Sequence, residues 1–198
     1  LLEELTDRGH QGLILDVASI KSPLIEPLRQ AAAAGLNICS VHPMFGPDTR
    51  LLSGRHVRFM DVGNEVAVGQ AEALFTQTMA EIKRIDIEQH DRLIAWVLGL
   101  SHAVNIAFFA AVTQSGLSAN ELSEVSSTTF NRQLAIARDV AAENPDLYFE
   151  IQQLNEQGGE PREALLDVMK IITESVEQGD LGTFRSLMLD GRAYLSDL

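Results

Sequence analysis

The feature that most constrains this chain is a change of period near residue 87. Before it, short apolar runs alternate with helical stretches; after it, only helical periodicity continues. Side chains repeat every two residues on a strand and about every 3.6 on a helix, so a sheet must come first and helices must follow. Gly12-Leu13-Ile14-Leu15-Asp16 reads as a short buried strand. Ser22-Pro23 offers an N-cap with proline at the first helical position, opening a helix to about residue 34 that Gly35 ends. Runs 36–41, 55–62 and 82–87 read as three more strands, and Asn64 caps a helix to about residue 80. This spacing predicts a parallel or mostly parallel sheet with helices on its faces. Helices are expected at 88–115, 118–126, 129–143, 146–156, 160–178 and 181–196, punctuated by Gly116, Asn144-Pro145, Gly158-Gly159 and Gly179. The fold class is therefore α/β followed by all-α, with a boundary near Ile87.

With 198 residues, 45% hydrophobic and 22% charged, the chain can bury a sizeable core. Its net charge of −13 excludes a general nucleic-acid binder, which needs a basic stripe. It leaves room for a small anionic substrate, because one local arginine can dominate a pocket. The single cysteine, Cys39, permits no disulfide framework within the chain and fits a reducing cytoplasm. Leu1-Leu2-Glu3-Glu4-Leu5 lacks the basic start of a signal peptide. The uncharged stretch 93–112 is long enough to span a bilayer, but Ser101, His102 and Asn105 lie along it and its flanks show no Lys/Arg asymmetry. It is expected to be a helix buried in protein, with no membrane partner.

The α/β part is too small for a complete doubly wound domain and contains no Gly-x-Gly-x-x-Gly. It is either a small variant or the later part of a larger domain, and a start without methionine favours the second.

Four segments look chemical. Asp16-Val17-Ala18-Ser19-Ile20-Lys21 sits at the carboxyl end of the first strand, where open α/β sheets bind ligands. Ser19 is either a turn residue or a donor to an imidazole or a cofactor amide. Lys21 is either a solvated helix-start charge or a cofactor contact. His42 ends the second apolar strand and opens His42-Pro43-Met44-Phe45-Gly46-Pro47, where proline favours an extended backbone and Gly46-Pro47 turns the chain. It is either a satisfied loop histidine or a base suited to a hydroxyl proton near neutrality. If the two strands are adjacent, Ser19 and His42 can meet. His90 and His102 are twelve residues apart on one expected helix, about 18 Å along it and about 120° around it, so both are not expected on one small substrate. His102 is either a buried, satisfied histidine or a functional one. With no second ligand at i+3 or i+4, no metal is expected. In Ser126-Ser127-Thr128-Thr129-Phe130-Asn131-Arg132, either threonine can cap a helix carrying Arg132. Arg132 is either a surface arginine or a bidentate carboxylate ligand.

In this order, Asp16-x-x-Ser19-x-Lys21, His42-Pro43-Met44-Phe45-Gly46-Pro47, His90-Asp91, Ser101-His102, Phe130-Asn131-Arg132 and Asn144-Pro145-Asp146-Leu147-Tyr148 resemble the prephenate dehydrogenase family of tyrosine biosynthesis. The resemblance covers essentially the whole chain, and the run from His42 to Pro47 is its strongest part. It implies that 1–87 is the carboxyl-terminal part of a Rossmann-like nucleotide-binding domain, a partial doubly wound sheet. It implies that 88–198 is an all-helical substrate and dimerisation domain forming a homodimer. The implied reaction is oxidative decarboxylation of prephenate, or of the related arogenate, with hydride transfer to NAD, NADP being left open. By the same resemblance, His42 accepts the proton of the ring hydroxyl and Ser19 orients His42 near the nicotinamide. Arg132 binds a substrate carboxylate, and His102 and His90 belong to the substrate pocket. The glycine-rich loop and the acidic residue that selects between NAD and NADP are not in this chain. The 198 residues taken alone are therefore expected to be inactive, as a carboxyl-terminal piece of a dehydrogenase. A non-catalytic dimerisation or regulatory module derived from such an enzyme is the competing expectation. A different hydroxyacid or imine reductase would leave Ser19, His42 and Arg132 unexplained.

Overall fold

The computed structural model describes residues 1–46 and 48–196. After a short helix, α1 (Leu2–Asp7), the chain runs β1 (Ile14–Asp16), α2 (Ile25–Ala33), β2 (Ile38–Pro43), β3 (His56–Met60), α3 (Glu65–Phe75) and β4 (Glu81–Arg84). The sheet order is β1-β2-β3-β4. β1 pairs parallel to β2 and β3 parallel to β4, but β2 and β3 are antiparallel, with His42 opposite Arg58. Two of the three pairings are parallel, in line with the expected mostly parallel sheet, and the β2–β3 pairing makes it a mixed one. The reason lies in the connections. Parallel neighbours need a crossover, which α2 and α3 supply, whereas β2 and β3 are joined by a loop without a helix.

β2 is the strand buried on both faces. Cys39 and Val41 pack with Phe59, Val68 and Ala71 on the α3 side. Ile38 packs with Leu28, Leu36, Met60 and Ile87 on the α2 side. By the two-residue alternation, Ser40 and His42 share the face of Ile38, so two polar side chains enter a buried layer. Asn64 caps α3 as expected, accepting from Ala67 N at 3.0 Å. Ser22-Pro23 does not cap α2. That helix starts at Ile25, because the Ser22 side chain is engaged with Asp91 instead. Pro47, expected to turn the chain with Gly46, lies outside the described residues.

Among the described residues from Asp86 onward, all regular structure is helical. Asp86 caps α4 (Ile87–Ile94), accepting from Glu88 N at 2.8 Å. A six-residue π-helical segment (Ala95–Leu100) leads directly into α5 (Ser101–Gln114). Then come α6 (Ala119–Glu124), α7 (Thr128–Ala141), α8 (Pro145–Leu154), α9 (Gly159–Gln178) and α10 (Leu181–Leu195). Ser127, rather than either threonine, caps α7, accepting from Phe130 N at 3.1 Å. Gly179, at φ 68°, ends α9 in the left-handed conformation that glycine adopts without strain.

α5 packs on α7, and the π segment packs on α8 and α9. Even so, only 28% of the most apolar window of Ile87–Gln114 is buried. The expectation of a helix buried in protein holds for one side of it only. Leu93, Trp96 and Val97 are exposed, as are Leu166, Met169, Leu181 and Met188 on α9 and α10.

Candidate active site

A cleft of about 520 Å³ opens where the carboxyl ends of β1 and β2 meet the helices. Val17 and Ser19 line it from beyond β1, and His42 to Gly46 from β2 and its following loop. Leu98, His102, Glu143, Leu147, Tyr148 and Ile151 close it from the helical side. A small cluster of Ile20, Ile94 and Ile151, with Met44 and Leu98 against it, fastens the two sides together.

His42 is 3% exposed. Its Nδ1 lies 2.9 Å from Nε2 of His90, and Nδ1 of His90 lies 2.6 Å from Oδ1 of Asp91. Asp91 also accepts from the backbone N–H groups of Lys21, at 2.9 Å, and Ser22, at 2.6 Å, and from the Ser22 hydroxyl. These hydrogen bonds hold the Asp91 carboxyl down to about 2 against the opposing effect of burial. Burial, aided by the charges of His90 and Lys21, pushes His42 down to about 3, so its imidazole is neutral near pH 7. One carboxylate on α4 thus fixes both the histidine behind the sheet and the loop that opens α2.

The structure sorts the sequence-derived candidates. Ser19 and His42 do line one cleft, but no hydrogen bond of the Ser19 hydroxyl is found among the described residues. His90, not Ser19, holds the His42 ring. His90 is 0% exposed and sits behind His42, so it does not line the substrate side. Lys21 is neither solvated nor available to a cofactor. It is fully buried, its Nζ donating to Asp16 Oδ2 at 2.7 Å and to the Val41 carbonyl at 3.0 Å. The Ser40 hydroxyl donates to the same Asp16 oxygen at 2.7 Å. Arg132 is exposed on α7 and is not among the residues lining the cleft. The carboxylate-binding role expected of it is not met within one chain.

His102 does reach the cleft. On a regular helix it would point about 120° away from His90. The π segment between them winds more residues into each turn, so each residue rotates the chain less and the two histidines swing toward one side. Gln152 Nε2 donates to the Gly99 carbonyl at 2.8 Å, and the Ser101 hydroxyl donates to the Val97 carbonyl at 2.7 Å, giving partners to carbonyls along this segment. The His102 ring stacks on Tyr148, with centroids 4.1 Å apart, and burial lowers its pKa. Its Nδ1 is buried without a hydrogen-bond partner among the described residues, a polar atom that a bound ligand can satisfy. Sequence reasoning missed Asp91 as a hub, although it adjoins His90, and missed Tyr148 and Glu143 as cleft residues. No local pattern marks a residue that matters because it faces a cleft.

An adjoining groove of about 560 Å³ shares Gly46, Thr49 and Glu143 with this cleft and adds Arg50 and Arg55 together with Asp48 and Asp139. The cleft's position at the strand ends suits the reactive end of a nicotinamide, with Ser19 and Val17 beside it. No Gly-x-Gly-x-x-Gly exists in the chain to hold a pyrophosphate. The residues present therefore fit one end of such a cofactor only.

Comparison with known proteins shows the family of the chain. The chain is 28% identical over 185 residues to the 4-amino-4-deoxyprephenate dehydrogenase of Streptomyces pristinaespiralis, covering 93% of this chain and 62% of that protein. It is 26% identical over 199 residues to a probable arogenate/prephenate dehydrogenase of Methanocaldococcus jannaschii, covering 98% of this chain and 44% of that protein. The chain thus spans less than two thirds of the length of these curated relatives. Its fold matches that of prephenate dehydrogenase from A. aeolicus, solved in complex with hydroxyphenyl propionate and NAD+. The TM-score is 0.72 at 16% identity, covering 94% of this chain and 68% of that one. Residues 86–190, more than half of the chain, match the family model described as prephenate dehydrogenase, dimerization domain, and the chain belongs to the prephenate dehydrogenase family.

Proposed function

We propose that this chain is the catalytic-base and helical part of an NAD-dependent dehydrogenase of the cytoplasm that oxidatively decarboxylates prephenate, arogenate being the close alternative. The observation that carries the reading is His42: a neutral imidazole at a strand's carboxyl end, facing a cleft and anchored from behind. His42 takes the proton of the ring hydroxyl as hydride leaves the same carbon. A nicotinamide bound in the cleft would supply the acceptor for that hydride. Loss of carbon dioxide from the resulting dienone returns an electron pair to the ring and makes it aromatic. The imidazolium then gives its proton back to the phenolate oxygen, so His42 ends neutral. Met44, Phe45, Leu98, Leu147 and Ile151 supply apolar walls that keep water from the reacting carbon. On this reading His102 and Ser19 orient substrate and nicotinamide, and Arg50 and Arg55 in the adjoining groove, which Asp48, Asp139 and Glu143 also line, are arginines near the cleft for a substrate carboxylate.

The glycine-rich phosphate loop belongs, on this reading, to a part of the protein outside these residues, with its strands adding to the free edge of β1. A homodimer covers the exposed apolar surface of α4, the π segment, α9 and α10, in keeping with the description of the matched family model. The test is an assay of the protein that carries this chain, with prephenate and with arogenate, each with NAD+ and with NADP+. The expected result is cofactor reduction with release of carbon dioxide. Absence of reduction in all four combinations would leave the competing reading, a non-catalytic dimerisation or regulatory module.

A further inference from the structure

The buried chain Asp91–His90–His42 contains two imidazoles in series, and its proton positions follow from its ends. Asp91 is an ionised carboxylate that already accepts from Lys21 N, Ser22 N and the Ser22 hydroxyl. It can only accept from His90, so the proton of that bond sits on His90 Nδ1. A neutral His90 then presents a bare Nε2, which must accept the Nδ1 proton of His42 across 2.9 Å. The remaining ring nitrogen of His42, Nε2, is left unprotonated, and no described residue hydrogen-bonds it. The opposite arrangement needs His90 to be an imidazolium. His90 is 0% exposed, with the buried Lys21 ammonium close to the same network, so a further resident positive charge is costly there.

We infer that His90 and Asp91 are positioning residues for the dehydrogenation: they lock His42 in its Nδ1–H tautomer, with Nε2 as the base facing the cleft. As His42 Nε2 gains the substrate proton, its Nδ1–H goes on donating to His90 Nε2, and the Asp91 carboxylate behind His90 stabilises the positive charge that His42 carries. One proton enters the chain at Nε2 of His42 and the same number leaves when the phenolate is reprotonated, so no oxidant or reductant is involved. This inference rests on His42 being the base of the proposed function. The geometry also explains why so polar a cluster survives in the seam: it joins α4 to β2 and to the start of α2 while serving the chemistry.

The test reads tautomers and turnover separately. In the full chain labelled with [15N]histidine, the five rings are assigned by single substitution and their nitrogen shifts measured at pH 7. His42 and His90 are both expected to carry the proton on Nδ1. His42 protonated on Nε2, or a fast mixture of tautomers, would overturn the inference without any variant being needed. In the protein that carries this chain, His90→Leu removes the acceptor and is expected to lower kcat about 10- to 100-fold with KM unchanged. His90→Gln restores an acceptor oxygen opposite His42 Nδ1 and is expected to restore the tautomer and part of kcat. A His90→Leu protein that folds and keeps full kcat removes the positioning role even if the resting tautomers are as expected. Expected tautomers in a wild-type protein that turns over neither prephenate nor arogenate keep the lock but remove the proposed function.

Discussion

The two halves of this molecule differ most in how completely they bury a core. The α/β half closes on itself: Ile38, Val41, Val57, Phe59 and Met60 are all at most 1% exposed, and even Lys21 is fully buried against Asp16. The helical half buries few large apolar side chains and leaves a long row in the open, from Leu93 and Val97 to Met169 and Met188. Exposed apolar residues of the α/β half, such as Leu51, Val66 and Leu74, are fewer. Surface ion pairs occur in both halves, Arg84 with Glu65 and Glu72 in one and Lys170 with Asp167 in the other. One half is a closed core; the other keeps much of its apolar surface open, the surface that the proposed homodimer would cover. The active-site candidate lies on the seam, and its histidine chain draws one member from β2 and two from α4. A site split between a closed α/β core and a half-open helical layer ties chemistry to the correct packing of both.

The largest effect should come from the α/β side. His42→Asn is expected to lower kcat about 10²- to 10⁴-fold with a small change in KM, measured by steady-state turnover. Near-wild-type kcat would move the base elsewhere. The contrast between buried and surface charge comes next. Lys21→Ala takes the charge partner from the largely buried Asp16 and is expected to cost about 3–5 kcal/mol in denaturant unfolding, whereas Lys170→Ala should cost at most ~0.5 kcal/mol. Equal losses would erase the distinction between the buried pair and the surface pair.

The covered-surface idea is tested by charge. Leu93→Glu with Val97→Glu, one helical turn apart on the exposed side, is expected to convert a dimer to a monomer in light scattering while the α/β half keeps its fold. A wild-type monomer would remove the proposed partner. Acid gives a smaller, graded effect. Because His42 titrates at about 3 when folded and near 6.5 when unfolded, the unfolded chain takes up its proton first. Stability should therefore decline as pH falls from about 6.5 toward 3, with a further loss below about 3.8 as Asp91 is protonated. His42→Asn should flatten the upper part of that decline in pH-dependent denaturation. The smallest effect is expected at Arg132. Arg132→Gln should leave KM unchanged, because the side chain is exposed and off the cleft lining. A large rise in KM would show that a second copy carries Arg132 to the substrate.

Much of the frame was legible along the chain. The changeover appears as the Asp86 cap and the start of α4 at Ile87. His42 lies on an apolar strand just before a proline, and Asn64 caps its helix as read. These features depend on neighbours within a turn or two, and composition and spacing report such neighbours directly. The same local reasoning placed His102 about 120° from His90, because it assumed an unbroken α-helix. A π segment has no signature in apolar spacing, and here its Gly99 carbonyl is met by Gln152, far along the sequence.

By itself, then, the sequence determined the order of layers, the element types and the strand end that carries His42. The tertiary structure alone decided that Lys21 is buried, that His90 stands behind His42 rather than beside a substrate, and that Asp91 holds the loop of Lys21 and Ser22. The reason is that a strand or helix satisfies its own backbone with nearby residues. A buried charge or imidazole must instead find partners wherever packing brings them, and no local period encodes a contact between α4 and a loop about seventy residues away.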